Sequence, residues 1–191
     1  MLKEHVTVSR EGEIAFTYVG KSGKLWERWI AEPEVCEVVR SLKRRRGGGP
    51  ELLAFRSPGG WVDVKSGDVN DYLREITGGS DTAKDFRTWS ATVLAAVGLA
   101  VSTHAHSDTA RKRAVTRVVK EVADKLGNTP AVCRASYIDP RIVDLYLDGT
   151  TVDLTTLGEG ATYGSPAYQG DLETAVLALL REPATQERLA G

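Results

Sequence analysis

Three side chains stand out as potential chemistry: Lys21 at the tip of a glycine-bounded turn, Arg87 one step off the apolar face of a helix, and Tyr137 between two proline-started segments. Asn128 and Arg134 lie close to Tyr137 in sequence. An ammonium, a guanidinium and a phenol are respectively a proton donor, a fixed cation and a latent oxygen nucleophile. By residue type alone the set does not name a reaction. More familiar signatures are missing: there is no GxGxxG, no P-loop and no GxSxG, and the acid-rich Asp68 to Glu75 has no EF-hand spacing. His104 and His106 flank Ala105, a pair that would suit a metal on a strand. No acidic or cysteine ligand stands at a recognisable distance from it, so a capping or surface role is the better reading and no metal is expected.

The elements that must hold these groups follow from periodicity. His5 to Val8 and the period-two run Ile14, Phe16, Tyr18 read as strands, Gly20-Lys21-Ser22-Gly23 as a tight turn, and Leu25 to Ile30 as the returning third strand. Pro33 to Leu42 reads as a short helix ended by Arg46-Gly47-Gly48-Gly49-Pro50, and Leu52 to Phe55 and Trp61 to Val64 as small strands around Pro58-Gly59-Gly60. From Ser66 onward the pattern is helical. Asp68 to Ile76 stops at Gly78-Gly79, and Thr82 with Asp85 forms a capping box for a helix whose core face is expected to carry Phe86, Trp89, Val93 and Val97. A third helix opens near Ser107 to Thr109, carries Val115, Val118, Val119, Val122 and Leu126 on one stripe, and closes at Gly127. Thr129-Pro130 and Asp139-Pro140 each read as a cap followed by a helix-starting proline, which leaves Tyr137 at the junction. Thr151 to Gly170 reads as a loop and Leu172 to Leu180 as a last helix.

The bulk composition allows one well-cored domain: 191 residues, 41% hydrophobic and 27% charged. The longest apolar run, Val93 to Val101, is far short of the ~20 residues of a membrane crossing, so a cytoplasmic protein without membrane contact is expected. Cys36 and Cys133 have no CxxC or Cys/His spacing and read as ordinary thiols. A net charge of −1 argues against a surface that clings to DNA everywhere. The distribution is less even: cations cluster at Lys43 to Arg46 and again at Arg111, Lys112, Arg113, Arg117 and Lys120, either of which could face phosphates or simply solvent.

Three segments taken together resemble the catalytic domain of the bacterial and poxvirus-like type IB DNA topoisomerases, a likeness that runs from about Leu2 to about Leu147. They are Phe16-Thr17-Tyr18-Val19-Gly20-Lys21-Ser22-Gly23-Lys24, then Val69 to Glu75 leading into Thr82-Ala83-Lys84-Asp85-Phe86-Arg87-Thr88-Trp89, then Leu126 to Tyr137 with Asn128 nine residues before the tyrosine. The resemblance implies an α+β, predominantly helical DNA breaking–rejoining domain with a small N-terminal antiparallel three-stranded sheet. Its expected extent is residues 1–150, with the sheet part at about 1–64 and the helical part at about 66–150, followed by a loop and helix over 151–191.

By the same resemblance, Tyr137 would attack a backbone phosphorus and become joined to the 3′ phosphate. Phenols have pKa ~10 and need nearby positive charge to act near neutrality. Arg87 would supply it through a forked, permanently charged donor set. Asn128 would add a neutral hydrogen bond to the phosphate. Lys21 would protonate the departing 5′ oxygen, while Lys24 and Arg134 would touch the DNA backbone. Exchange of one phosphodiester for another needs no ATP, metal or cofactor, and rotation of the cut strand would relax supercoils. The expected partner is double-stranded DNA, bound by a monomer in the cytoplasm at the nucleoid. In the family a second arginine lies upstream of the lysine hairpin, alongside an N-terminal clamp domain, and neither is in this sequence. The expectation is a catalytic fragment that binds duplex weakly and relaxes plasmid poorly by itself. The rival readings are a site-specific tyrosine recombinase, whose pattern wants His-x-x-Arg where this chain has Lys84 ahead of Arg87, and a DNA-binding module without catalysis.

Overall fold

The structure is a computed structural model that describes residues 1–20, 23, 25–102, 107–154 and 166–181. It divides into two compact units, Met1–Gly78 and Gly79–Gly191.

The first unit is built on an antiparallel meander, β1 (Val6–Val8), β2 (Ile14–Val19) and β3 (Leu25–Ile30), in that spatial order. Val6 faces Phe16 across the first pair and Thr17 faces Glu27 across the second. His5, expected in the first strand, instead ends a short 3-10 turn, where its Nδ1 accepts the Leu2 N–H. Val6 and Ile14 alternate inward and meet Cys36 and Val39 of helix α1 (Pro33–Arg44), with Leu52 closing a small core. A two-stranded hairpin, β4 (Ala54–Ser57) and β5 (Gly60–Asp63), and helix α2 (Ser66–Thr77) complete the unit.

A buried cation secures the loop between α1 and β4. Arg45 donates to the carbonyls of Leu42, Gly49, Glu51 and Leu52, and its guanidinium lies 5.4 Å from the Trp61 ring. The Trp61 indole N–H in turn donates to the Arg46 carbonyl. Four carbonyl dipoles and a ring face let this charge sit in a nearly closed site with no carboxylate in ion-pair range among the described residues.

The second unit is helical: α3 (Ala83–Ala100), α4 (Asp108–Leu126), α5 (Pro130–Ser136), α6 (Pro140–Leu147) and α7 (Pro166–Arg181). The expected start signals are all in use. Thr82 and Asp85 exchange the capping-box bonds, with the Thr82 N–H and hydroxyl both donating to the carboxylate. The Thr129 hydroxyl caps α5 by accepting the Val132 N–H, and the Asp139 carboxylate caps α6 by accepting that of Arg141. Gly127 closes α4 at φ 76°, where a side chain would be strained. Val93, Ala96 and Leu99 of α3 pack on Val115, Val118 and Val122 of α4. Ile142, Val143, Leu145 and Tyr146 of α6 and Leu172, Val176, Leu179 and Leu180 of α7 finish this core.

Two further expectations change. Phe86 was placed on the core face of α3 but is 49% exposed, because the first turn of that helix projects beyond its packed stretch, whose buried residues begin at Ala91. Nor does the loop from Thr151 reach Gly170: α7 begins at Pro166, whose fixed φ suits a first helical turn. Among the described residues no helix is long and apolar enough to cross a membrane.

At the α3–α4 crossing, a Cβ on Gly98 would stand 3.0 and 3.2 Å from the two methyls of Val118. Gly98→Val should therefore destabilise the protein by about 1–3 kcal/mol through overpacking. Chemical denaturation would show this, and a neutral result would mean the helices part freely there.

Candidate functional site

Tyr137 occupies the link between α5 and α6, half-buried, with its backbone N–H on the Cys133 carbonyl. Its neighbour across the fold is Arg87, an exposed residue in the second turn of α3, whose guanidinium carbon lies 5.3 Å from the tyrosine ring centroid. One Arg87 Nη donates to the Leu126 carbonyl at 2.9 Å, so the last turn of α4 fixes where the cation stands. That carbonyl is one of the four a helix C-terminus leaves without an intrahelical donor. A guanidinium has five N–H donors, and the anchor uses one.

Asn128 follows Gly127 directly. Its backbone N–H donates to the Ala123 carbonyl, while its side-chain amide nitrogen is enclosed and has no acceptor among the described residues. An enclosed donor left unpaired costs about 1–3 kcal/mol. Two residues that share one local sequence, Leu126 and Asn128, thus serve the site differently, one as an anchor for Arg87 and one as an unsatisfied donor.

Arg134 is exposed on α5 and borders a different cavity, a small one of about 80 Å³ against Ile138, Pro140 and Val143 of the α6 side. Lys21 and Lys24 lie outside the described residues, as do His104 and His106. In this unit the structure accordingly unites Tyr137 and Arg87, with Asn128 joined to them through the end of α4, and sets Arg134 beside a separate hollow.

A groove of about 630 Å³ opens along Tyr137, lined among others by Thr88, Trp89, Arg141, Leu177 and Arg181. Helix α7, whose purpose the sequence left open, therefore forms one wall of the space beside the tyrosine. Cys133, four residues before the tyrosine on α5, is fully buried. Burial pushes its thiol pKa up, and the Arg87 charge offsets this only in part. A neutral, enclosed thiol does not compete as a nucleophile.

Sequence reasoning missed Thr92. It is buried on α3 within an apolar stretch, and its hydroxyl donates to the Tyr137 carbonyl at 3.4 Å while accepting the Asp139 N–H at 3.1 Å. One hydroxyl thereby clasps the backbone on both sides of Ile138. The signal that would have exposed it is a polar residue inside the run Ala91 to Val97, since a buried hydroxyl requires partners. Asp139 is fixed a second time by a forked contact with Arg141, whose Nε and Nη2 reach its two oxygens at 3.0 and 2.6 Å. Burial raises the Asp139 pKa, but the side-chain and backbone hydrogen bonds from Arg141 and its charge outweigh this and hold the carboxyl below the ordinary carboxylate value.

The architecture is thus an α+β catalytic-core layout, a three-stranded meander with a helical unit that sets a tyrosine at a helix junction beside an arginine. The family model described as the catalytic core of eukaryotic DNA topoisomerase I matches residues 1–145, and the chain belongs to that family. The DNA topoisomerase 1B of Acanthamoeba polyphaga mimivirus is 27% identical over 150 residues, which cover 75% of this chain and 44% of the viral protein. The chain thus spans less than half the length of that relative.

Thr92→Val should cost about 1–3 kcal/mol, since it strips the Asp139 N–H of its acceptor, whereas Thr92→Ser should recover most of that. Equal urea midpoints for the two variants would contradict the clasp. Because the Asp139 carboxyl is lowered in the fold, its contribution is complete above about pH 4 and is lost as pH falls through the depressed value. Arg141→Leu should accordingly weaken the protein at neutral pH and converge with the parent in acid. A constant difference in unfolding midpoint from neutral pH to about pH 2 would contradict that account.

Proposed function

We propose that this chain carries the strand-cleaving chemistry of a type IB DNA topoisomerase, with Tyr137 as nucleophile. The observation that carries the reading is the pairing of Arg87 and Tyr137, a half-buried phenol whose hydroxyl has no partner among the described residues beside a cation that the end of α4 holds in place. The family match supports the same reading. In the proposed step the Tyr137 phenol releases its proton to solvent as its oxygen bonds to a backbone phosphorus. The bond from phosphorus to the 5′ oxygen breaks, and that oxygen takes a proton from Lys21, which is reprotonated from solvent. The product is a 3′ phosphotyrosine and a free 5′ hydroxyl.

Arg87 would neutralise the charge that grows on the non-bridging oxygens, which is where fixed donors lower a barrier most. Asn128 would turn its unpaired amide to the same phosphate. Lys24 and Arg134 would contact the backbone on either side. Reversal of the step reseals the strand with no input of energy, since one phosphate ester replaces another. No metal or cofactor enters this scheme. The substrate would be duplex DNA, handled by a monomer in the cytoplasm at the nucleoid, and rotation between cleavage and resealing would release supercoils.

The test is a nicked suicide duplex in the presence of EDTA. The protein should form a denaturant-resistant protein–DNA adduct, Tyr137→Phe should abolish it, and Arg87→Ala should slow its formation on the order of 100-fold or more. An adduct that persists in Tyr137→Phe would assign the wrong nucleophile. A product confined to one defined site, with no general relaxation, would favour the recombinase reading.

A further inference from the structure

Helix α4 has a second face that the core does not use. Ala114, Val115, Val118, Val119, Val122 and Ala123 are buried, while Thr109, Lys112, Arg113, Thr116, Arg117 and Lys120 are all exposed and line a shallow groove of about 500 Å³. Arg113, Arg117 and Lys120 follow one another at spacings of four and three residues, and Lys112 stands next to Arg113, so the four cations form a broad row on the outer side of the helix. None of them borders the groove along Tyr137. At 1.5 Å per residue, Lys120 and Lys112 lie about 9 and 21 Å along the axis from Leu126, which anchors Arg87.

Helix electrostatics do not account for this row. Arg113 and Arg117 are like charges four residues apart, an unfavourable pairing. The cations sit towards the positive end of the helix and the acids Glu121 and Asp124 towards its negative end, the reverse of what the macrodipole favours. Arg117 has partners, donating to Glu121 at 3.0 Å and to the Ser102 hydroxyl at 2.6 Å. Asp108, at the first helical position, is the other acid near the row. Lys112, Arg113 and Lys120 have no side-chain partner among the described residues.

The shape of the charge indicates what it fits. The row runs about 16 Å from Thr109 to Lys120 without converging on one point. A small anion would be gripped by converging donors, whereas a chain of evenly spaced anions matches a line of cations. Each DNA strand presents a phosphate about every 3.4 Å of its axis.

We propose that the outer face of α4 is a DNA-backbone contact separate from the Tyr137 groove, binding duplex phosphates through Lys112, Arg113 and Lys120 and contributing affinity rather than chemistry. This rests on the reading that the chain acts on DNA. The experiment compares the protein with a triple variant, Lys112→Gln, Arg113→Gln and Lys120→Gln, by fluorescence anisotropy on a labelled duplex between about 50 and 200 mM salt. The log–log salt slope should fall by roughly two to three units and that of Arg113→Gln alone by about one, since each phosphate contact contributes about 0.9. Adduct formation on a saturating suicide duplex and the melting temperature should both hold.

An unchanged slope and affinity in the triple variant, with the parent still forming its adduct, would overturn this contact and leave the proposed function standing. A parent that neither binds duplex nor forms an adduct would sink both. Loss of binding to phosphatidylserine vesicles with DNA binding intact would overturn the proposal by assigning the face to a membrane.

Discussion

A single hydroxyl in the interior of the helical unit determines how the tyrosine is presented. Thr92 bonds to the backbone on either side of Ile138, so the link between α5 and α6 cannot slide or rotate without leaving a buried donor or acceptor unpaired. The same helix carries Arg87 five residues earlier. Ring and cation are thereby referenced to one rigid element. The proposed chemistry needs that arrangement, because a guanidinium stabilises a charged phosphate only over a short and fixed range.

A comparable economy operates at the end of α4. The carbonyls that a helix leaves unpaired are a cost, and Arg87 meets part of it at Leu126 while gaining its own position. The left-handed turn at Gly127 then delivers Asn128 to the same place. In the other unit Arg45 solves a similar problem for a loop, gathering four carbonyls around one buried charge. In both units, then, arginine serves as a partner for backbone that regular structure leaves over.

How much of this could be read in advance depended on whether the cause was local. Tyr137 was placed at a helix junction because Thr129-Pro130 and Asp139-Pro140 are start signals complete within a few residues, and the strands were legible because alternation is a nearest-neighbour property. Phe86 was misplaced because periodicity gives the direction of a face and not where its neighbours end. The start of α7 was hidden by a Gly-, Ser- and Thr-rich approach to Pro166. Thr92 escaped because its partners lie 45 and 47 residues away, and Arg45 because a cage of loop carbonyls leaves no residue pattern.

The close approach at Gly98 has a bearing on remote control of the site. With the Gly98–Val118 contact taken as the pivot of the α3–α4 pair, Arg87 stands eleven residues, about 16 Å, out along one arm. A tilt of about 5° at the pivot would swing the guanidinium by roughly 1.4 Å, comparable with the displacement that separates a productive phosphate contact from an idle one. Under the proposed chemistry, side-chain volume at this core contact, outside the groove along Tyr137, would therefore tune how Arg87 meets the phosphate.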